Sequence, residues 1–122
     1  MRPARPLMIL IAGPYRSGTD GDPARIVANV EAMTAVSLEL WRRGHLPVMG
    51  EWFALPLIEQ AERGGANDAF DEIFHPVAER LLERCDGCLR IGGPSEGADG
   101  MVATARRLGK AVFHDLAEVR AP

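Results

Sequence analysis

The apolar run near the start of the chain constrains the fold most. Residues 7–12 are apolar at every position, and Gly13 and Pro14 end the run. Uninterrupted apolar runs of this length are typical of parallel strands that are buried on both faces. Because parallel strands need long crossover connections, usually helices, this strand predicts a fold built from βαβ units.

Helix and strand patterns alternate along the rest of the chain. Asp22 and Pro23 predict a helix N-terminus, and Gly44 is expected to end that helix. Further helices are predicted near residues 57–63, 68–84 and 96–108, with Pro76 expected to kink or delay the second of these. Strands are predicted at residues 46–49, 88–91 and 110–113. We therefore expect residues 1–122 to form a single α/β domain, Rossmann-like or flavodoxin-like, with three layers and a four- or five-stranded parallel sheet.

Composition excludes several classes of function. The net charge of -3 is unlike that of a nucleic-acid-binding surface, and no apolar run approaches the roughly 20 residues of a membrane span.

Cys85 and Cys88 have the spacing of a redox motif, but they lie at a predicted helix C-terminus and in a strand, where no helix dipole stabilises a thiolate. We expect them to be structural cysteines of a cytoplasmic protein that needs neither a metal nor a redox cofactor.

Two glycine-containing turns follow predicted strands, at residues 13–18 and 92–97. The second turn includes Ser95, which can cap the next helix, and a helix N-terminus at such a turn suits a phosphate. The first turn is not a P-loop, because Thr19 stands where the phosphate-binding lysine is required. Arg16 as a charge partner and Ser17 as a donor still suit an anion, although a structural turn with a surface arginine is the alternative.

Glu51 and Trp52 directly follow the second predicted strand, at the same edge of the sheet. A carboxylate beside an aromatic ring can contact a ribose hydroxyl while the ring stacks on a base. Alternatively, Trp52 packs a loop against the core or against another subunit. His75 suits the edge of the core better than catalysis.

The chain resembles the nucleoside 2-deoxyribosyltransferase-like superfamily, which includes nucleoside monophosphate N-glycosidases and small bacterial proteins of unknown function. The resemblance spans most of the length and rests on residues 9–15, 85–86, 95–98 and 109–112. It implies a nucleotide or sugar phosphate as ligand, and a homodimer or larger homo-oligomer. In the superfamily's hydrolases the two turns hold the sugar and its 5′-phosphate, and the matching positions here are Gly13, Tyr15, Arg16, Ser95 and Gly97.

Met101 stands where these hydrolases have their nucleophile, the glutamate of the pattern Ser-x-Gly-x-x-x-Glu. Glu51 or Glu96 could replace that carboxylate, whereas Asp99 should face away from the site. Direct hydrolysis, with one carboxylate activating a water, is a second explanation. The third is that only binding remains. Two hypotheses therefore stay open: an N-glycosidase acting on nucleoside 5′-monophosphates, or a non-catalytic nucleotide-binding or protein-interaction module.

Overall fold

The computed structural model describes residues 3–122, which form a parallel four-stranded sheet in the order β2-β1-β3-β4. This confirms the predicted three-layer α/β fold. No helix in the described range is long and apolar enough to cross a membrane. The elements are β1 (Met8–Ala12), α1 (Pro23–Arg42), β2 (Leu46–Met49), α2 (Gly50–Arg63), α3 (Ala69–Arg84), β3 (Gly87–Arg90), α4 (Glu96–Arg107) and β4 (Ala111–Phe113), followed by a 3-10 turn (Leu116–Glu118).

Strand β1 contributes to a core on each face of the sheet. Leu10 and Ala12 pack with buried side chains of α3 and α4. Ile9 and Ile11 point to the opposite face, where they pack with buried side chains of α1. The apolar run is therefore buried on both sides, as its composition predicts, and each fully buried side chain contributes about 1.5–3 kcal/mol.

The strand order reverses between β1 and β3. The chain leaves β1 for β2 on one side and then crosses to β3 on the other side, and both strands pair with β1 in parallel. In open parallel sheets, ligands bind outside the carboxyl ends of the strands at such a switch point. The topology therefore predicts a ligand site at the end of the sheet where β1 and β3 stop.

Helix α2 begins earlier than the sequence indicates. We expected a helix near residues 57–63, but α2 starts at Gly50, immediately after β2, and continues through Pro56. Its N-cap, Met49, makes no side-chain hydrogen bond, so no capping signal is visible in the sequence. Buried Ala54 and Ile58 pack in one cluster with the first residue of α3, and this packing outweighs the weak local signals.

Pro76 does not delay α3. The helix starts at Ala69, close to the predicted boundary, and continues through the proline to Arg84. Proline costs one helical hydrogen bond, but Ala78 and Leu82 anchor the following turns in the core against the sheet. The whole segment therefore remains helical.

At the amino end of the sheet, the Asp86 carboxylate is hydrogen-bonded to other residues of the protein. Asp86 accepts hydrogen bonds from the Met8 amide at 2.8 Å and from Arg5 at 2.7 Å. The Arg5 guanidinium, followed by the Met8 amide, holds the pKa of Asp86 below its usual value. Asp86 thereby ties β1 to the start of β3.

His45 has a similar structural role at the same end. Its buried imidazole accepts a hydrogen bond from the Leu7 amide at Nδ1, at 2.9 Å, and donates from Nε2 to the Arg120 carbonyl, at 2.6 Å. Both ring nitrogens are therefore occupied. The ring links β1 to the C-terminal segment.

Cys85 and Cys88 are buried and unbridged, as predicted for structural cysteines. Burial raises the pKa of the Cys85 thiol to about 11 and that of Cys88 to about 12. Both thiols therefore stay protonated at neutral pH, and neither has the thiolate character that redox chemistry needs.

Candidate functional site

A cavity of about 150 Å³ opens at the switch point between β1 and β3. An apolar cavity of that volume holds about one benzene-sized ring, so this one has room for a single ring. Its wall is formed by the carboxyl end of β1, the loop that follows it, and the first turns of α2, α3 and α4. The structure brings most of the predicted site residues together there: Gly13, Tyr15, Arg16, Ser17, Glu51, Ser95, Gly97 and Met101.

Trp52 and Glu96 do not line this cavity. Because α2 already begins at Gly50, Trp52 is rotated by about 100° from Glu51 around the helix. It lies on the outer side with 44% of its surface exposed. Glu96 is the exposed first residue of α4. Both side chains therefore lie outside this cavity.

The loop after β1 is held in place by internal hydrogen bonds. Thr19, which is almost completely buried, donates its hydroxyl to the Arg16 carbonyl at 2.6 Å. From α1, the Asn29 amide donates to the Tyr15 carbonyl at 2.9 Å. Thr19 thus has a structural role at the position where a P-loop has its lysine, and Tyr15 and Arg16 are carried by an ordered backbone. Sequence inspection missed Asn29, a polar residue within α1 that carries no motif.

The two glycine turns pack directly against each other. Gly92 has a φ of +80°, which favours glycine, and a Cβ at this position would lie 2.6 Å from Cδ of Pro14. The turn after β3 therefore approaches the turn after β1 more closely than any residue with a side chain allows. This contact sets the position of the α4 N-terminus relative to the first loop.

Ser95 caps α4, as predicted. Its buried Oγ accepts a hydrogen bond from the Ala98 amide at 3.2 Å. The first N–H groups of a helix have no acceptor within the helix, and the Ser95 hydroxyl accepts from one of them. The N–H groups of Glu96 and Gly97, in the same turn, can still donate to a ligand. Together with the helix dipole, they make this end of α4 suitable for an anion at the cavity wall.

Glu51 is the most unusual group in the cavity. It lies in the first turn of α2 with only 5% of its surface exposed. No hydrogen bond joins its carboxylate to another residue within the range 3–122. Burial raises its pKa, and only its own backbone amide acts in the opposite direction. A buried carboxylate without a protein partner is available to hold or take a proton from a ligand.

Tyr15 is close enough to respond to that carboxylate. Burial raises the pKa of the Tyr15 phenol, the positive charge of Arg16 lowers it, and the negative charge of Glu51 raises it again. The phenol therefore stays protonated at neutral pH and can donate a hydrogen bond.

An aromatic wall, formed by Tyr15, Phe70 and Phe74, closes one side of the cavity. The Phe70 and Phe74 ring centroids lie 4.5 Å apart, and Tyr15 lies 5.0 Å from Phe74. The Arg16 guanidinium lies 3.8 Å above the Phe70 ring. From sequence, Phe70 and Phe74 belong to the apolar side of the helix predicted over residues 68–84. Their spacing of four residues puts them on one helix face, and this was the available signal that they form a shared surface.

Met101 lies in the cavity wall with 7% of its surface exposed. Asp99 points away, as the helical spacing predicts, and its carboxylate pairs with Nε of Arg90 at 3.0 Å. Since Glu96 also lies outside, Glu51 is the only carboxylate that lines this cavity among the residues described.

Comparison with protein-family models and with curated proteins finds no match to this chain. The functional assignment therefore depends on the chemistry of the cavity and on its position in the fold.

Proposed function

We propose that the cavity binds a nucleoside 5′-monophosphate or a related sugar phosphate, and that the protein hydrolyses its base–sugar bond with Glu51 as general base. The observation that carries this proposal is the Glu51 carboxylate, which is buried without a protein partner in a cavity at the switch point. The carboxylate makes no hydrogen bond to another residue within the range 3–122, and polar groups placed in this way at a cavity are typical of functional sites.

Different regions of the cavity suit the phosphate, the sugar and the base of such a ligand. The phosphate lies at the α4 N-terminus, and Arg16, which lines the same cavity, supplies positive charge. The enclosed volume of about 150 Å³ takes the sugar ring. The base then stacks near Tyr15 and Phe74, whose rings form part of the wall.

Glu51 performs the proton transfer in this arrangement. The carboxylate takes a proton from a water while the water oxygen bonds to C1′ of the sugar. The bond from C1′ to the base nitrogen breaks, and its electron pair leaves with the base. The proton on Glu51 then passes to the base nitrogen, which regenerates the carboxylate. The products are a free base and a sugar 5-phosphate. The raised pKa of Glu51 makes it a stronger base than an exposed glutamate.

Met101 favours a second candidate, a binding module without turnover. Its thioether stands where the resembling hydrolases have a nucleophilic glutamate, so this chain cannot form a glycosyl ester at that position. Direct hydrolysis through Glu51 and simple binding are both compatible with that substitution. Turnover distinguishes them.

The test combines chromatography of released base with calorimetric binding. The wild type and Glu51→Gln are each incubated with the common nucleoside 5′-monophosphates and with ribose 5-phosphate. Base release by the wild type alone, with binding retained in the variant, supports the enzyme. Binding by the wild type without release supports the binding module. A wild type that binds no phosphate compound contradicts both.

The proposal includes assembly as a homodimer or larger homo-oligomer, and the cytoplasm as the compartment. Phe53 and Leu57 on the outer side of α2 are 46% and 54% exposed, and a second copy of the chain would remove this apolar surface from water. Sedimentation velocity measures the assembly directly. A monomer at micromolar concentration contradicts it.

A further inference from the structure

We propose that His75 binds the phosphate of the ligand, together with the first turn of α4; this rests on the proposed function of the cavity. His75 lies on α3 and lines the cavity. From sequence it suited the edge of the core better than a functional role. In the structure it is half-buried and packs against Phe70 and Phe74 as well as lining the cavity.

The imidazole lies directly against Gly97. A Cβ added to Gly97 would be 2.7 Å from Cε1 of His75, 3.5 Å from Nε2 and 3.8 Å from Nδ1. Cε1, the carbon between the two nitrogens, is therefore the ring atom nearest the first turn of α4, and Nε2 is the nearer nitrogen. Because Gly97 has no side chain, the imidazole comes within reach of an anion bound at the amides of that turn.

Aromatic neighbours fix the ring, but none occupies its nitrogens. Phe74 and Phe70 meet it edge-on, with centroid distances of 5.5 and 6.5 Å and interplanar angles of 88° and 81°. Neither nitrogen of His75 has a hydrogen-bond partner within residues 3–122. In contrast, both nitrogens of His45 at the other end of the sheet are bonded. The His75 ring is thus oriented with its donor capacity unused.

A phosphate matches these donors better than a sugar hydroxyl does. The amides of Glu96 and Gly97 are the open donors of the first turn of α4, the His75 imidazole lies against Gly97, and the α4 dipole adds a positive field. A phosphate monoester offers several acceptor oxygens and negative charge, whereas a hydroxyl accepts at a single oxygen. The buried Glu51, which lines the same cavity and makes no side-chain hydrogen bond to another residue within the range 3–122, is an independent sign that a ligand completes the site.

Isothermal titration calorimetry of the full chain with ribose 5-phosphate, and competition by inorganic phosphate, test the inference. His75→Ala should weaken both ligands by the same factor of about 10 to 100, as expected for one hydrogen bond to a charged group. His75→Gln keeps an N–H donor near the position of Nε2 and should recover part of the affinity. His114→Ala, which changes an exposed histidine outside the cavity, is the matched control and should bind like the wild type.

The outcomes separate this inference from the proposed function. If the wild type binds neither ligand, the proposed function itself fails. If the wild type binds both and His75→Ala binds them equally well, His75 makes no phosphate contact and only this inference fails. A loss confined to ribose 5-phosphate would place His75 on the sugar and would also contradict it.

Gly97→Ala provides a second route if His75→Ala does not fold. The added methyl group must displace the imidazole, so phosphate affinity should fall by a similar factor. In the His75→Gln background, the same change should cost clearly less, because the pair acts as a unit. Equal losses in both backgrounds would assign the effect to the methyl group alone and would overturn the role of His75.

Discussion

The two ends of the sheet use the same residue types in opposite ways. At the amino end, Asp86 and His45 are hydrogen-bonded to other residues of the protein. At the carboxyl end, the side chains of Glu51 and His75 line a cavity without a hydrogen bond to another residue in the described part of the chain. The amino end therefore stabilises the fold, while the carboxyl end retains polar groups that a ligand can use.

The two carboxylates illustrate the difference through their pKa values. Hydrogen bonds from Arg5 and the Met8 amide lower the pKa of Asp86, so its ionised form stabilises the folded state. Burial raises the pKa of Glu51, so its ionised form destabilises the folded state. The sign of each shift follows from the partners of the carboxylate.

Glu51→Gln should have the largest effect on function. Loss of a general base lowers turnover by about 100- to 10,000-fold, while Asp86→Asn, at the other end, should leave turnover per folded molecule unchanged. Initial rates of base release from a nucleoside 5′-monophosphate measure both variants. Equal losses of activity in Glu51→Gln and Asp86→Asn would contradict the proposed difference between the two ends of the sheet. So would a loss of activity in Glu96→Gln instead of Glu51→Gln.

Phe74→Ala should weaken nucleotide binding by about tenfold, because base–aromatic stacking contributes roughly 1–3 kcal/mol. Trp52→Ala removes a larger ring that lies outside the cavity and should change the dissociation constant less than about twofold. Calorimetric titration with a nucleoside 5′-monophosphate compares the two. A larger loss of affinity in Trp52→Ala than in Phe74→Ala would indicate that Trp52, and not Phe74, stacks on the base.

Asp86→Asn should lower the free energy of unfolding by about 1 kcal/mol at pH 7, because it weakens the bonds from Arg5 and from the Met8 amide. Since the folded-state pKa is lowered, the contribution of Asp86 is complete above its unfolded pKa of about 3.9 and is lost as the pH falls through the folded value. Urea unfolding at several pH values measures this. A difference that persists unchanged in acid would rule out an ionic origin.

Glu51→Gln should have the smallest effect on stability, and in the opposite direction. A raised folded-state pKa means that the penalty is absent below the unfolded pKa of about 4.3 and appears as the pH rises through the folded value. The variant should therefore gain about 0.5–1 kcal/mol at pH 7 and nothing near pH 3. A variant less stable than the wild type at pH 7 would show that Glu51 has a structural partner after all.

Much of this molecule could be predicted from local patterns. The apolar run ending at Gly13 and the cap at Ser95 depend on neighbouring residues only, so the sheet, the helix starts and the two turns followed from them. The early start of α2 did not, because it depends on packing against α3, and it puts Trp52 outside the cavity that Glu51 lines.

The same limit explains the missed part of the site. Phe74 and His75 lie on α3, which no predicted strand end brings to the crevice; only the tertiary packing of α3 against α4 does so. Glu51 and Glu96 were equal candidates in sequence, since each follows a strand or turn at the same edge. Burial distinguishes them, and burial is a property of the assembled fold.

Two-dimensional amide NMR of the protein titrated with ribose 5-phosphate tests the contrast between the two ends most directly. We expect saturable shifts at Gly13, Ser95, Gly97 and His75, with the amides of His45 and Asp86 unchanged. Shifts concentrated at the amino end, or no saturable shift at the cavity, would contradict the assignment of the carboxyl end as the ligand site.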